Sequence, residues 1–408
     1  MKVLLTLPRP LFPPDTGGKI RSLEIFRRLA KRTEIHAVSF ADPVRDAAAI
    51  PEMSSVFQSY TPVAWRETKR HSLGFYQELL TNQFSSLPYF LAKCEVPHFC
   101  STVEQLLGRQ HFDVLFCDFL HTAAPLRMID FKPKVVFEHN VEFLLRKRKW
   151  ELEKRPLQRF VLGTEWKRTQ RIESQVCRSF EHVIAVSTDD QNSLRHEFAI
   201  DQVSIVPTGV DAEFFCPIGN SSQPGHLAFV GSMDWDPNED GIAWFVREVY
   251  PQILRKVPNA SLSIVGRNPS SRLRAIVSHE PSIEITGWVA DVRPYLAQAE
   301  VVVVPLRVGS GTRIKIPEAM AMQKAVVSTS IGAEGLPFRD GHEIRIADES
   351  KDFAQSVSEL LQNRSLRHRL AATAREAVVR EHCWQAVVEK VEQVLEQLNK
   401  SEAHAIAA

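Results

Sequence analysis

Gly309-Ser310-Gly311-Thr312-Arg313-Ile314-Lys315-Ile316-Pro317-Glu318-Ala319-Met320-Ala321 joins a glycine turn to a helix start that carries one acidic side chain. Immediately upstream, Val301-Val302-Val303-Val304-Pro305 is an apolar run closed by proline, the pattern of a strand buried on both faces of a parallel sheet. The glycine turn then falls at that strand's carboxyl end, where open α/β sheets gather their ligands. Free N–H groups of a helix beginning near Thr312 to Lys315 favour an anion such as a diphosphate. Pro317 suits such a helix only in its first turn, where no intrahelical donor is lost.

The same alternation extends in both directions. Strands are expected at Lys2 to Leu7, Ile35 to Phe40, Val114 to Cys117, Val135 to Phe137 and Val183 to Ser187, with helical patterns between them, which reads as a doubly wound parallel sheet. A second set follows at His226 to Val230, Ser261 to Val265, Ile283 to Ile285, Val301 to Val304 and Ala325 to Ser328. With 408 residues, two domains of roughly 200 residues are expected. The polar cluster Ser221-Ser222-Gln223-Pro224-Gly225 marks a break near the midpoint.

Composition narrows the class. A net charge of +1 gives no global attraction to nucleic acid or membrane, so any such contact must be local. The six cysteines make no C-x-x-C pair, which suits reduced thiols in a cytoplasmic protein rather than a disulfide framework or a zinc site. The start of the chain, Val3 to Leu7 before Pro8, is too short for a secretory leader and reads as a first strand. No run approaches the roughly 18 apolar residues of a membrane span.

Gly311 to Ala321, continuing through Ala325-Val326-Val327-Ser328-Thr329 to Gly332-Ala333-Glu334-Gly335, resembles the signature of the retaining GT-B glycosyltransferases of family four. Val203-Ser204-Ile205-Val206-Pro207-Thr208-Gly209-Val210-Asp211 resembles the strand and turn with which that family opens its second domain. The resemblance implies an α/β GT-B fold, two Rossmann-like domains facing across a cleft. The first would span residues 1–200 and the second 201–383, with a C-terminal helix 384–400 returning to the first. It implies transfer of a sugar from a nucleotide-diphosphate donor such as a UDP-sugar to a sugar, lipid-linked or other small acceptor. Retention at the anomeric carbon, no cofactor, no required metal and no nucleic-acid partner go with it. Cell-surface polysaccharide, glycolipid or glycoconjugate synthesis is the implied setting. A sugar-nucleotide epimerase on the same fold and a non-catalytic sugar-nucleotide-binding protein remain open.

Most family members carry two glutamates with seven residues between them, at the donor sugar and at the nucleotide ribose. Glu318 matches the second and Ser310 occupies the first, as in the subgroup reading G-x-G-T-R-x-K. The family's V-G-R followed, after five intervening residues, by a lysine becomes Val230-Gly231-Ser232 with Asn238, so both phosphate-gripping cations are missing. Arg313 and Lys315 are the candidates to replace them catalytically, Arg because its fork pairs with phosphate. By resemblance His139, at the end of the Lys134 to Phe137 strand, contacts donor phosphate or sugar. Gly17 and Gly18, closing a proline-rich loop, let backbone approach the diphosphate. Ser310, Gly311, Thr312 and Ile314 supply the turn, and Gly266, Arg267 and Trp288 the nucleobase loops.

Three segments have competing readings. Asp234-Trp235-Asp236 looks like a D-x-D metal clasp, but Asp236-Pro237-Asn238-Glu239 reads better as a capping box opening a helix through Ile253. Residues 146–178 hold eleven Lys or Arg against four Glu, with Trp150, Phe160 and Trp166 among them. Peripheral contact with an anionic membrane is one reading and a solvated helical face the other. Phe75 to Phe90 reads either as an acceptor wall or as packed helices.

Overall fold

The computed structural model describes residues 1–69, 72–219, 222–308 and 314–407, with side chains through residue 400. The chain divides into two units, one of Met1–Pro207 with Val388–Ala408 and the other of Thr208–Val387. Each unit is built on a parallel sheet. In the first, β1 (Lys2–Leu7), β2 (Glu34–Ala41), β3 (Ser59–Ala64), β4 (Val114–Asp118), β5 (Lys134–Phe137), β6 (His182–Ala185) and β7 (Val203–Ile205) lie in the order β3-β2-β1-β4-β5-β6-β7. In the second, β8 (His226–Val230), β9 (Ser261–Val265), β10 (Ile283–Gly287), β11 (Val301–Val304), β12 (Ala325–Ser328) and β13 (Arg345–Ile346) lie in the order β10-β9-β8-β11-β12-β13. The order reverses between β1 and β4 and again between β8 and β11. These are the switch points at whose carboxyl ends crevices form.

The valine run explains itself in this frame. Val301 and Val303 enter one core with Phe229, Phe245 and Phe353, while Val302 and Val304 enter another with Ile316, Met320 and Ala374. Alternate side chains of a strand point to opposite faces, so a strand covered by helices on both sides must be apolar throughout. β3 shows the converse. Pro62 cannot donate to a ladder, and its strand lies at the edge of the sheet order, beside β2.

Three expectations need correction. Val203 to Ile205 does not open the second unit; it pairs with β6 and closes the first sheet, so the division falls after Pro207 rather than at 200. Strand pairing, which a local motif does not encode, decides the matter. The helix Asp236–Trp244 is capped by Trp235 with no side-chain cap bond, and the expected capping box is absent. Glu239, the would-be reciprocal partner, instead accepts a hydrogen bond from the Ser270 hydroxyl at 2.6 Å. That helix does not run unbroken to Ile253 either. It passes through a wide π turn at Phe245–Val249 before Tyr250–Lys256, because Pro251 brings no N–H and widening the ladder accommodates it.

The cysteines are all free thiols, with Cys94, Cys117 and Cys177 buried. Among the described residues no three His, Cys, Asp or Glu side chains gather in a way that could hold a metal ion, and no helix is long and apolar enough to cross a membrane.

Candidate functional site

In the first unit the carboxyl ends of β1, β4 and β5 bring together residues far apart in sequence. The helix Gly17–Leu29 begins at Gly17 itself, so both glycines belong to its first turn. N–H groups of a first turn have no intrahelical acceptor. A Cβ on Gly17 would meet nothing within 4 Å, whereas one on Gly18 would lie 3.1 Å from the Phe119 ring. Phe119 lies flat on the His139 ring, centroids 3.7 Å apart at 12°. It holds φ 70 and ψ 151, a backbone region otherwise reserved to glycine, which stores strain of about 1–3 kcal/mol. Phe119 carries no motif that marks it as a site residue in the sequence. Its place just past β4, beside the switch point, was the available signal.

His139 is buried rather than open at a loop mouth. Its Nε2 lies 2.6 Å from Asp118 Oδ1, and Asp118 also accepts from the Ser22 hydroxyl at 2.6 Å. Burial lowers the imidazole pKa despite the Asp118 carboxylate, and buried Arg21 nearby pushes the same way. The ring is therefore neutral near pH 7. A carboxylate needs a donor, so the proton sits on Nε2 and the Nδ1 lone pair is left without a partner. Such a ring can accept a hydroxyl hydrogen bond and cannot itself compensate a diphosphate.

Arg21 donates to the Val206 carbonyl and lies 4.4 Å from the Phe137 ring centroid. Its Nε and Nη1 have no partner, and burial brings its pKa down to about 9.

In the second unit the relevant groups lie at the carboxyl ends of β8, β9 and β10 and at the start of the helix Lys315–Ala321. Ile314 directly precedes that helix, and Pro317 lies in its first turn. Lys315 Nζ donates to Asn238 Oδ1 at 2.6 Å and sits 4.6 Å from the Phe229 ring centroid. Asn238 in turn donates to the Ser232 carbonyl at 2.7 Å. The ammonium thus lies beside the residue that replaces the resembled family's lysine. Close approach is possible because Gly231 lacks a side chain: its Cβ would fall 2.8 Å from both Lys315 Nζ and Asn238 Nδ2.

Glu318 keeps part of its surface in solvent, yet its carboxyl is enclosed enough that loss of water pushes its pKa up to about 7, against the opposing pull of Lys315. Gly266 is packed against backbone, since a Cβ there would lie 1.9 Å from the Gly231 carbonyl oxygen. Arg267 is committed to a carboxylate: its Nε lies 2.9 Å from Asp234 Oδ2. Asn268, Ser232 and Arg267 together hold Asp234 below the usual carboxylate range. Asp234 is therefore a turn anchor. Trp288, just past Gly287 at φ 73, is 72% exposed and so is not packed into the core.

The structure thus groups Gly17, Gly18 and His139 in one unit and Gly266, Arg267, Trp288, Ile314, Lys315 and Glu318 in the other. Ser310, Gly311, Thr312 and Arg313 lie outside the described residues.

Two family models divide the chain, "Glycosyltransferase Family 4" over residues 16–214 and "Glycosyl transferases group 1" over residues 224–363. A phosphatidyl-myo-inositol mannosyltransferase of Mycobacterium tuberculosis is 28% identical over 207 residues, 47% of this chain. That match spans about half of the relative, 53% of its length. Among solved structures, a sucrose-phosphate synthase of Thermosynechococcus elongatus superposes with a TM-score of 0.69 at 15% identity, covering 98% of this chain and all of that one. The Anabaena protein HepE, in complex with UDP and glucose, gives 0.64 at 12% identity and covers 98% and 100%. At such identities the structural likeness speaks for the fold alone.

Proposed function

The chain belongs to the glycosyltransferases, a family 4 region followed by a group 1 region on a GT-B fold of two Rossmann-like domains, and from that premise we propose that it moves a hexose from a nucleotide diphosphate to an acceptor with retention. The observation that carries the proposal is the cation at the end of β8. Lys315 has its ammonium against Asn238 and Gly231, where a diphosphate meeting the carboxyl edge of the sheet would need positive charge. Helix-end N–H groups alone supply only about half a unit of charge.

The reaction would run without a carboxylate pair of the glycosidase kind. The diphosphate leaves, the acceptor attacks from the same face, and a departing phosphate oxygen takes the acceptor proton. Lys315 and Arg313 offset the charge that grows on the leaving group. The Nδ1 of His139 accepts a hydrogen bond from a donor hydroxyl, Asp118 fixing its tautomer. Glu318 holds the ribose hydroxyls, and exposed Trp288 offers the base a face to stack on. Gly17 and Gly18 let backbone come near the phosphates, with Gly266, Arg267 and the turn Ser310 to Ile314 completing the donor contacts. No step calls on a metal or cofactor. The mannosyltransferase relative supports sugar transfer to a lipid-linked acceptor, and UDP is the nucleotide proposed on the donor side. A cytoplasmic enzyme whose basic stretch 146–178 meets an anionic membrane fits that acceptor.

The test is nucleotide release from UDP-glucose, GDP-mannose and related donors, with and without EDTA, and the anomeric configuration of the product by NMR. Turnover with retention in EDTA is expected. An inverted product, loss of activity in chelator restored by manganese, or a changed sugar configuration without any acceptor would each overturn part of the reading.

Lys315→Ala and Arg313→Ala should each lower kcat about tenfold or more while changing donor KM less, because leaving-group charge peaks in the transition state. Wild-type kcat/KM in both variants would move the phosphate site elsewhere.

A further inference from the structure

Two helical segments of the first unit turn large apolar side chains to the outside. On the helix Leu73–Asn82, Leu73, Tyr76 and Leu80 fall on one face, and Phe84 extends the line past its end. Leu73 is 83% exposed, Leu80 68% and Phe84 95%. The one charged residue of that helix, Glu78, accepts hydrogen bonds from the Thr68 and Tyr89 hydroxyls, so its carboxylate is occupied inward.

The second segment is the hairpin of helices Glu142–Leu152 and Pro156–Ser179, held by the Trp150–Trp166 stack with centroids 4.9 Å apart. At its bend Leu152, Leu157 and Phe160 are 76%, 77% and 71% exposed. Single exposed apolar residues are ordinary, but a gathered set marks a contact surface.

The two segments are tied together. Arg168 donates to the carbonyls of Asn82 at 2.9 Å and Gln83 at 2.6 Å, and Glu165 accepts from the Tyr89 N–H at 2.8 Å. Arg168 and Phe160 are separated along their helix by about 12 Å. Exposed Arg148, Lys149, Lys154, Lys167 and Arg171 flank the apolar residues of the hairpin.

We propose that the helix Leu73–Asn82 with Phe84 and the bend of the hairpin form one docking surface for a bilayer of anionic lipid. The inference rests on the reading of residues 146–178 as membrane-facing and adds to it an uncharged element and a set of inserting side chains. Leu80, Phe84, Leu157 and Phe160 enter the boundary between headgroups and acyl chains, while the hairpin's cations meet lipid phosphates. Charge decides against a second copy as the occupant, since self-association would press two cationic hairpins together.

Co-sedimentation with vesicles of phosphatidylcholine alone, and of phosphatidylcholine with 30% phosphatidylglycerol, tests this on the full chain. Wild type should bind the anionic vesicles at least tenfold better. The pairs Leu80→Ser with Phe84→Ser, and Leu157→Ser with Phe160→Ser, should each lose about tenfold in binding with unchanged Tm, their side chains being exposed. Lys149→Gln with Lys154→Gln should lose most of the preference for anionic lipid.

If the Lys pair matters and Leu80/Phe84 does not, the contact through 146–178 stands and this inference fails. Absence of binding to anionic vesicles at low salt overturns both. Serine substitutions that instead dissolve a dimer make the surface a self-interface and overturn the lipid assignment. UDP binding by the wild type, measured without vesicles, reports on the donor reading separately.

Discussion

Glu318→Gln is expected to yield a protein that is more stable than the parent above pH 7 and poorer at holding its nucleotide. The folded state raises the Glu318 pKa from 4.5 to about 7, chiefly by withholding water from the carboxylate. Between those values the folded chain binds more protons than the unfolded chain, so stability falls as pH rises through that window and the full cost is present above pH 7. A shift of this size corresponds to roughly 3 kcal/mol. Partial solvent contact brings the expected gain for the glutamine variant to about 1 to 3 kcal/mol at pH 8, vanishing below about pH 4.5.

Function should move the other way. Losing a charge-assisted bond to the ribose costs about 1.5 to 3 kcal/mol, or roughly 10- to 100-fold in UDP affinity. In the wild type that affinity should weaken as pH drops through about 7, and the variant should lack this dependence. Calorimetric titration with UDP at pH 6 and 8, alongside thermal melts at both, measures everything required. Equal UDP affinity in the two proteins would remove Glu318 from the donor site, and equal melts at pH 8 would show that its carboxyl is not held out of water.

The second large effect is expected at Gly266. A Cβ there would fall 1.9 Å from the Gly231 carbonyl oxygen and 2.7 Å from its carbon, both backbone atoms that no rotamer change can move. The Gly231 N–H donates to the Val265 carbonyl at 2.9 Å and the Gly266 N–H to the Gly287 carbonyl at 3.2 Å, so relief means prying apart the ends of β8, β9 and β10. Gly266→Ala should therefore cost at least the upper end of the overpacking range, about 3 kcal/mol. That amounts to a fall of roughly 6–12 °C in Tm for a unit of this size. Gly17→Ala makes the contrast. Its Cβ meets nothing within 4 Å and its backbone is already helical, so stability should hold or rise by up to about 1 kcal/mol. Family resemblance assigns both glycines to the donor; packing separates them. A Gly266→Ala protein that melts with the wild type would contradict this account.

Periodicity carried the architecture because it reports burial directly. The unbroken Val301–Val304 run and the alternation of strands with helical patterns identify doubly wound sheets whatever else surrounds them. Glu318 and Lys315 were legible through their spacing from the glycine turn. Gly266 was legible only as a motif letter, its reason being a carbonyl 35 residues away in sequence.

Where the local reading went astray, a distant partner had intervened. Val203–Ile205 joined β6 instead of opening a new sheet, and Glu239 took the Ser270 hydroxyl in place of its own helix cap. Sequence by itself determined two α/β units and which side chains follow their strand ends, because hydrophobic period and turn residues are local properties of the chain. Only the tertiary structure decided that Lys315 would stand against Asn238, that burial would keep His139 neutral against the opposing pull of Asp118 and beside a strained Phe119, and that Glu318 would titrate near 7. Those outcomes depend on which strand ends and helix starts become neighbours and on how much water they exclude, quantities set by non-local packing.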